Sequence, residues 1–186
     1  MTTSSLIFTG QLPLAWRELP TLPNETELRL IEQSNLATLH TLFALDIHVG
    51  DYSDDPGALA NVSELKRLDF KVGLVLELVG QLLARQKAIP PDRSLTLTVN
   101  ELSWDADADA CPAPGALLQL EIYCNLSYPH PLVLHAEVAD ITATDNKYRI
   151  QATLCQPDAP LQEALERYIF LQHRRFIANR RGNSQR

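Results

Sequence analysis

Apolar positions repeat with a helical period in the first half of the chain and alternate with polar ones in the second. Asn24-Glu-Thr-Glu27 has the pattern of a capping box and predicts a helix from there to roughly Leu45. Asp55-Pro56 predicts a second helix start, and only single glycines interrupt the pattern before Pro90-Pro91. Pro13, Pro20 and Pro23 interrupt the N-terminal part of the chain, so we predict a strand or an extended arm for residues 1 to about 22.

The second predicted helix carries an apolar seam with a period of 3.5 residues. Two heptad positions stay apolar over nearly three heptads: Leu65, Leu68, Val72, Val75, Val79 and Leu82. Other leucines lie on other sides of this helix, which is therefore apolar nearly all round and must be buried nearly all round. We expect an oligomer built on this seam. The alternative is a central helix in the core of a monomer.

From Ser94 onward, apolar and polar residues alternate, as in strands with one buried face. The alternation covers Ser94–Val99 and residues 118–126, 132–138 and 148–154. Short spacers without helices predict an antiparallel meander that forms a small barrel or a sandwich. His135 lies in one of these strands, where we expect a surface or half-buried side chain.

A last helix is predicted near the C-terminus, with one basic face. Its apolar face is predicted to dock on a core and consists of Leu161, Leu165, Tyr168, Ile169, Leu171, Phe176 and Ile177. From Glu166 to Arg186 there are six arginines and one acid, whereas Met1 to Leu165 holds ten bases and twenty-two acids. This asymmetry predicts contact with an acidic partner or an anionic ligand. The alternative is that the arginines only complement the helix dipole.

Length and composition limit the classes of function. A chain of 186 residues with 45% hydrophobic residues predicts one globular unit with a helical extension. The net charge of −7 argues against a nucleic-acid binder. No segment reads as a signal peptide or as a membrane span, so we expect no membrane insertion. Three widely spaced cysteines predict free buried thiols and a cytoplasmic location.

No set of residues has the spacing of a catalytic or metal site. Asp105-Ala-Asp-Ala-Asp109 begins like a calcium loop, but Ala110 and Ala116 stand where the loop needs glycine and glutamate. The histidines show no paired metal spacing, and His173 is the one that we would test for anion contact. We therefore predict a binding protein without catalytic activity. A small enzyme of an unrecognised kind is the alternative.

The order of segments resembles the PilZ domain family, in its atypical subgroup. The resemblance rests on Leu102-Ser-Trp104, Pro114-Gly115, Leu117–Ile122, Pro131–Val138 and the helix Leu165–Arg175. It implies an α+β protein in which residues 93–186 form a PilZ-like antiparallel β-barrel with a C-terminal helix. Residues 1–92 would be an N-terminal arm and helical segment, and members of this subgroup add such a heptad helix and can form tetramers.

The resemblance also implies a role in cyclic di-GMP signalling. PilZ proteins are cytoplasmic, non-catalytic receptors or adaptors, and typical ones hold the nucleotide with Arg-x-x-x-Arg and [Asp/Asn]-x-Ser-x-x-Gly motifs. The first motif is absent here, and the second aligns as Glu101–Ala106 and keeps only Ser103. Asp105 would repel a dianionic ligand. The resemblance therefore implies an adaptor for another signalling or motility protein, with no other cofactor. The alternative is a cyclic di-GMP receptor with an atypical site, for which the candidate residues are Arg93, Glu101, Ser103, Arg174 and Arg175.

Overall fold

The computed structural model describes residues 6–45, 67–68, 70–75, 78–79, 82, 88–144 and 147–183. The strands are β1 (Phe8–Leu19), β2 (Asp92–Leu97), β3 (Glu101–Ala106), β4 (Leu117–Ile122), β5 (Leu132–Thr144) and β6 (Lys147–Leu154). The two helices that the structure describes from end to end are α1 (Glu25–Leu45) and α2 (Ala159–Asn183). Residues 67–68, 70–75, 78–79 and 82 are also helical, as the heptad pattern predicts.

The strands close into an antiparallel barrel in the order β1-β2-β3-β6-β5-β4. β1 closes it, because Phe8–Pro13 pairs with β2 and Leu14–Leu19 pairs with β4. The predicted fold class, an antiparallel barrel with a C-terminal helix and N-terminal helical elements, is confirmed. The division at residues 92 and 93 stays a prediction about domain organisation. The structure places β1, which precedes that division, in the barrel.

The strand order differs from the predicted meander. β3 pairs with β6, and β4 lies between β1 and β5 on the opposite side of the barrel. The connection from β3 to β4 therefore crosses one end of the barrel, through a short 3-10 turn at Ala108–Ala110 and a turn at Gly115. The meander prediction was wrong because alternation identifies strands and their buried faces but carries no information about their partners.

The inward-facing residues of the strands fill the barrel. Leu118, Leu120 and Ile122 alternate along β4 and have no exposed surface. Trp104 of β3 is fully buried, and its ring centroid lies 5.5 Å from that of Trp16 of β1. This burial of every second residue follows the alternation in the sequence.

α1 begins with the predicted capping box and is attached to the barrel through a buried polar side chain. The N–H of Glu27 donates to Oδ1 of Asn24 at 3.0 Å, and the N–H of Asn24 donates to Oε2 of Glu27 at 3.1 Å. Further along α1, the buried Asn35 amide makes two 2.8 Å hydrogen bonds with the backbone N–H and C=O of Val133. The Asn35 side chain thus makes the hydrogen bonds that a neighbouring strand would make at Val133, where β5 does not pair with β6.

α2 packs against α1 and β1. The carboxylate of Asp158 caps α2 by accepting from the N–H of Leu161 at 2.9 Å, while the N–H of Asp158 donates to Glu32 of α1 at 3.0 Å. Leu161, Leu165 and Ile169 are buried, as predicted.

The predicted apolar face of α2 needs one correction at Ile177. This residue was expected to dock on the core, but its side chain is 39% exposed. Because residues four apart are rotated by about 40° around a helix, Ile177 lies about 80° past Ile169 and about 160° past Leu161.

Candidate functional site

The described residues of the predicted heptad seam are exposed in the protomer. Leu65 lies outside the described residues, and the other five are helical and expose between 45% and 58% of their surface: Leu68, Val72, Val75, Val79 and Leu82. Short helices are marginal in water unless an apolar face packs against another element. The seam is therefore not stabilised by burial within its own protomer.

Three further apolar side chains of the same helical segment are exposed outside the seam. Phe70, Leu74 and Leu78 expose between 47% and 72% of their surface. The segment is thus apolar on more than one side, as its sequence predicts. Contiguous exposed apolar surface of this kind is typical of protein contact sites. The heptad segment is the candidate surface for self-association.

Ser103 lies on the outer face of β3, in a network centred on Arg149 of β6. The Arg149 guanidinium donates to Oγ of Ser103 at 3.0 Å and to Oγ1 of Thr96 at 3.2 Å. It also forms an ion pair with Asp105 at 2.8 Å. A ligand that used the Ser103 hydroxyl would therefore meet a guanidinium already neutralised by a carboxylate of the same chain.

Glu101 is exposed on the same face of β3, where it accepts a hydrogen bond from Nε2 of Gln151 at 3.2 Å. Arg149 is the residue of this face that sequence reasoning missed. It lies opposite Asp105 only because β3 pairs with β6. No local pattern in the sequence carries that long-range pairing.

Arg93 occupies a different place, at one end of the barrel. It has the same orientation on β2 as the inward-facing Leu95, whereas Thr96 faces outward opposite Ser103. Its guanidinium lies 5.5 Å from the centre of the Trp16 ring and pairs with Asp107 at 2.7 Å. That contact lowers the pKa of the Asp107 carboxyl below its ordinary value. Arg93 thus holds the connection from β3 to β4 and is turned away from Ser103.

Arg174 and Arg175 are exposed on the last turns of α2. The guanidinium of Arg174 lies 5.8 Å from the centre of the Phe170 ring, one turn earlier on the helix. The five candidate ligand residues therefore fall in three settings: the outer face of β3, the end of the barrel beside Trp16, and the exposed side of α2.

Comparison with known proteins gives this barrel and its helices a family. A family model described as an atypical PilZ domain, cyclic di-GMP receptor, matches residues 39–182, which is more than half of the chain. The chain belongs to the atypical PilZ family. The predicted resemblance is thereby confirmed.

Two solved structures align with this chain to different extents. One is a pathogenic protein from Xanthomonas campestris, described as a tetrameric PilZ domain self-assembled via an unusual helical bundle. It shares 20% sequence identity over 94% of this chain and 91% of that chain, with a TM-score of 0.68, and so shows the fold. The Bacillus subtilis inhibitor of motility aligns over 44% of this chain and 41% of that chain, with 16% identity and a TM-score of 0.36. No curated protein matches this chain.

A small cavity lies between α1 and the barrel of this PilZ protein. Its volume is about 80 Å³, and it is lined by residues of α1, of β5 and of the segment after β6. His135 is 7% exposed here, which corrects the prediction of a surface or half-buried residue, because α1 covers this outward face of β5. Its Nε2 atom has no hydrogen-bond partner among the described residues. Burial, and secondarily the nearby Arg17, lowers the pKa of His135 below its ordinary 6.5.

The cysteines are free thiols, as predicted, but their residues are partly rather than fully buried. Burial raises the pKa of the Cys124 thiol to about 11. Burial, and secondarily the carboxylate of Glu137, also raises the pKa of Cys155, which lines the cavity beside His135. Because the thiolate is the reactive form of cysteine, neither residue has the electrostatic setting of a nucleophile.

The described part of the PilZ chain holds no group of three or more His, Cys, Asp or Glu residues that could bind a metal ion. Asp105 and Asp107 of the acidic segment instead face the guanidinium groups of Arg149 and Arg93. No helix among the described residues is long and apolar enough to cross a membrane.

Proposed function

We propose that this PilZ protein is a non-enzymatic adaptor in bacterial cyclic di-GMP signalling that associates with itself through the heptad seam. The observation that carries the proposal is the exposure of the seam and of the apolar residues around it. In an adaptor of this kind, the barrel and α2 contact a protein partner while the heptad helices hold several protomers together.

The seam has the residue types of a helical bundle. Valine occupies both described members of the heptad position that begins at Leu65, and leucine flanks Val75 at the other position. Packing these side chains as knobs into holes would remove them from water and would stabilise helices that are marginal alone. Because Phe70, Leu74 and Leu78 are exposed on other sides, more than two helices are favoured. The Xanthomonas campestris protein, whose description calls it tetrameric, is consistent with more than two helices.

The adaptor role is favoured over a receptor role by the surroundings of Ser103. The chain has no Arg-x-x-x-Arg motif, and Ser103 already accepts a hydrogen bond from Arg149. The carboxylate of Asp105 lies in the same network and would repel phosphate. Arg93 faces a different part of the barrel, so it does not supply a second guanidinium for a nucleotide bound at Ser103.

The alternative is a cyclic di-GMP receptor with an atypical site, which the description of the family favours. Its candidate residues are Glu101 and Ser103 on β3 with Arg93, Arg174 or Arg175. Because such binding would rest on contacts between guanidinium and phosphate, it would weaken as salt is added. It would also weaken in Arg174→Ala or Arg175→Ala.

Calorimetric titration of the full-length protein with cyclic di-GMP at moderate salt separates the two roles. The adaptor role predicts neither heat nor a thermal shift at saturating nucleotide. Micromolar or tighter binding would contradict it, and a loss of that binding in Arg174→Ala but not in the matched Arg29→Ala on α1 would support the receptor. The proposed cytoplasmic location and the regulation of motility rest on the family alone.

A further inference from the structure

The C-terminal half of α2 exposes a mixed apolar and basic ridge, formed by Phe170, Arg174 and Ile177. Their spacing of four and three residues places them on one side of the helix. Phe170 is 44% exposed and Ile177 is 39% exposed, while the guanidinium of Arg174 lies over the Phe170 ring. Two apolar side chains with a cation between them therefore face solvent.

A groove runs beside this ridge, between α2 and the start of β1. It has a volume of about 210 Å³ and is lined by Ile7, Phe8, Thr9, Gln172 and His173. His173 lies three residues after Phe170 and four before Ile177, so the ridge lies next to the border of the groove that His173 forms. Ile7 on the other border is also exposed. Ridge and groove lie side by side near the C-terminal end of α2, and both can receive apolar side chains.

The charge around this surface is opposite to that of the rest of the protein. The segment from Glu166 to Arg186 has six arginines and one acid, although the whole chain has a net charge of −7. A basic patch on an acidic protein attracts an acidic partner locally. Adsorption to an anionic membrane surface needs a broad apolar face, whereas the ridge exposes only two apolar side chains.

We propose that the ridge and groove of α2 form a docking surface for an acidic amphipathic helix of a partner protein. Apolar side chains of that helix would enter the groove and contact Phe170 and Ile177, and a carboxylate would pair with Arg174. Helices that dock through residues at i, i+4 and i+7 in an apolar groove are a recurring mode of peptide recognition. This inference rests on the proposed adaptor function and identifies the surface and the partner chemistry.

The test is fluorescence anisotropy on the full-length protein, with a labelled helical peptide as the probe. The peptide has about 18 residues, or five turns, with leucines on one face and glutamates on the other. We expect saturable binding that Arg174→Glu weakens roughly tenfold or more, as for loss of a charge pair in an interface. Arg29→Glu on α1, the same substitution at an exposed site elsewhere, should leave the affinity unchanged. A peptide with lysine in place of glutamate should not bind.

Several results would overturn the docking surface: no anisotropy change with the glutamate peptide, equal loss in both arginine variants, or equal binding of the lysine peptide. Stronger binding of the protein to phosphatidylglycerol vesicles than to the peptide would assign the surface to membranes instead. Phe170→Ser provides a second variant that removes apolar surface without reversing charge, and it should also weaken the peptide complex.

Light scattering on each variant separates this inference from the proposed function. If Arg174→Glu keeps the assembly mass and loses the peptide, the docking surface is distinct from the heptad seam. If the protein binds cyclic di-GMP and still captures the peptide through Arg174, the adaptor role fails while the docking surface stands. If it shows no heat with the nucleotide and no peptide binding, the docking surface fails while the adaptor role stands.

Discussion

At the scale of single residues, buried polar side chains attach α1 to the barrel. Asn35 and Thr38 are almost completely buried, and Thr38 shares a 2.9 Å hydrogen bond with Nδ1 of His130. Sequence reasoning identified neither of these two residues as part of the attachment of α1. It could not find them, because the partner of Asn35 lies 98 residues further along the chain.

Replacing Asn35 with alanine should destabilise the protein substantially. The substitution leaves the N–H and C=O of Val133 buried without partners, at a cost of roughly 2–4 kcal/mol in the free energy of unfolding. Urea denaturation at a fixed protein concentration measures the change. Gln33→Ala, at an exposed site of the same helix, should cost little. Equal effects of the two substitutions would show that the Asn35 bonds contribute nothing.

His135 should make the stability of the protein depend on pH. Its pKa is lowered in the folded state, so below about pH 6.5 the unfolded chain binds more protons than the folded one. The free energy of unfolding should therefore fall as the pH decreases from neutral towards the folded-state pKa. The wild-type protein and His135→Gln are compared by urea denaturation between about pH 7.5 and 5.5. The difference between their free energies of unfolding gives the contribution of His135 at each pH. Parallel pH profiles of the two proteins would contradict it.

At the scale of elements, the sequence predicted the kinds of structure well and their arrangement less well. The period of the apolar residues located β2, β4, β5 and β6 but not β1 or β3, and Asn24 with Glu27 marked the start of α1. The order of the strands could not be predicted, because β1 closes the barrel across the whole intervening helical segment. The candidate ligand residues do not form one site either. Ser103 and Arg93 are close in sequence, but their side chains face opposite sides of the sheet.

The connection from β3 to β4 depends on the turn at Gly115. This glycine has a φ of +73°, and its N–H donates to the C=O of Val138 at 3.1 Å. A Cβ at this position would meet no atom within 4 Å, so Gly115→Ala should cost only the conformational penalty of about 1 kcal/mol. Thermal unfolding measures the change. Gly115→Asn should cost less, because asparagine tolerates positive φ, and a larger loss than in the alanine variant would contradict this account.

At the scale of the whole molecule, the protein combines a closed barrel with an apolar helix that its own protomer leaves exposed. The barrel has its own core, and because it is closed, every strand is hydrogen-bonded to two neighbours. The exposed heptad segment is therefore the principal apolar surface that the described residues leave to solvent. The seam was visible in the sequence because heptad spacing is local. The number of protomers cannot be read from the sequence in the same way, because it depends on packing between chains.

The central claim is that this PilZ protein assembles through the heptad seam, and light scattering coupled to size exclusion tests it most directly. The wild-type protein should have a mass that is a multiple of the 20.8 kDa protomer, with four copies favoured. The double substitution Val72→Glu and Val79→Glu would bury charges in the seam and should reduce the mass towards one protomer. Arg29→Glu on α1, which changes the net charge by the same amount outside the heptad segment, should keep the full mass. A monomeric wild-type protein, or a double variant that keeps its full assembly mass, would contradict the claim.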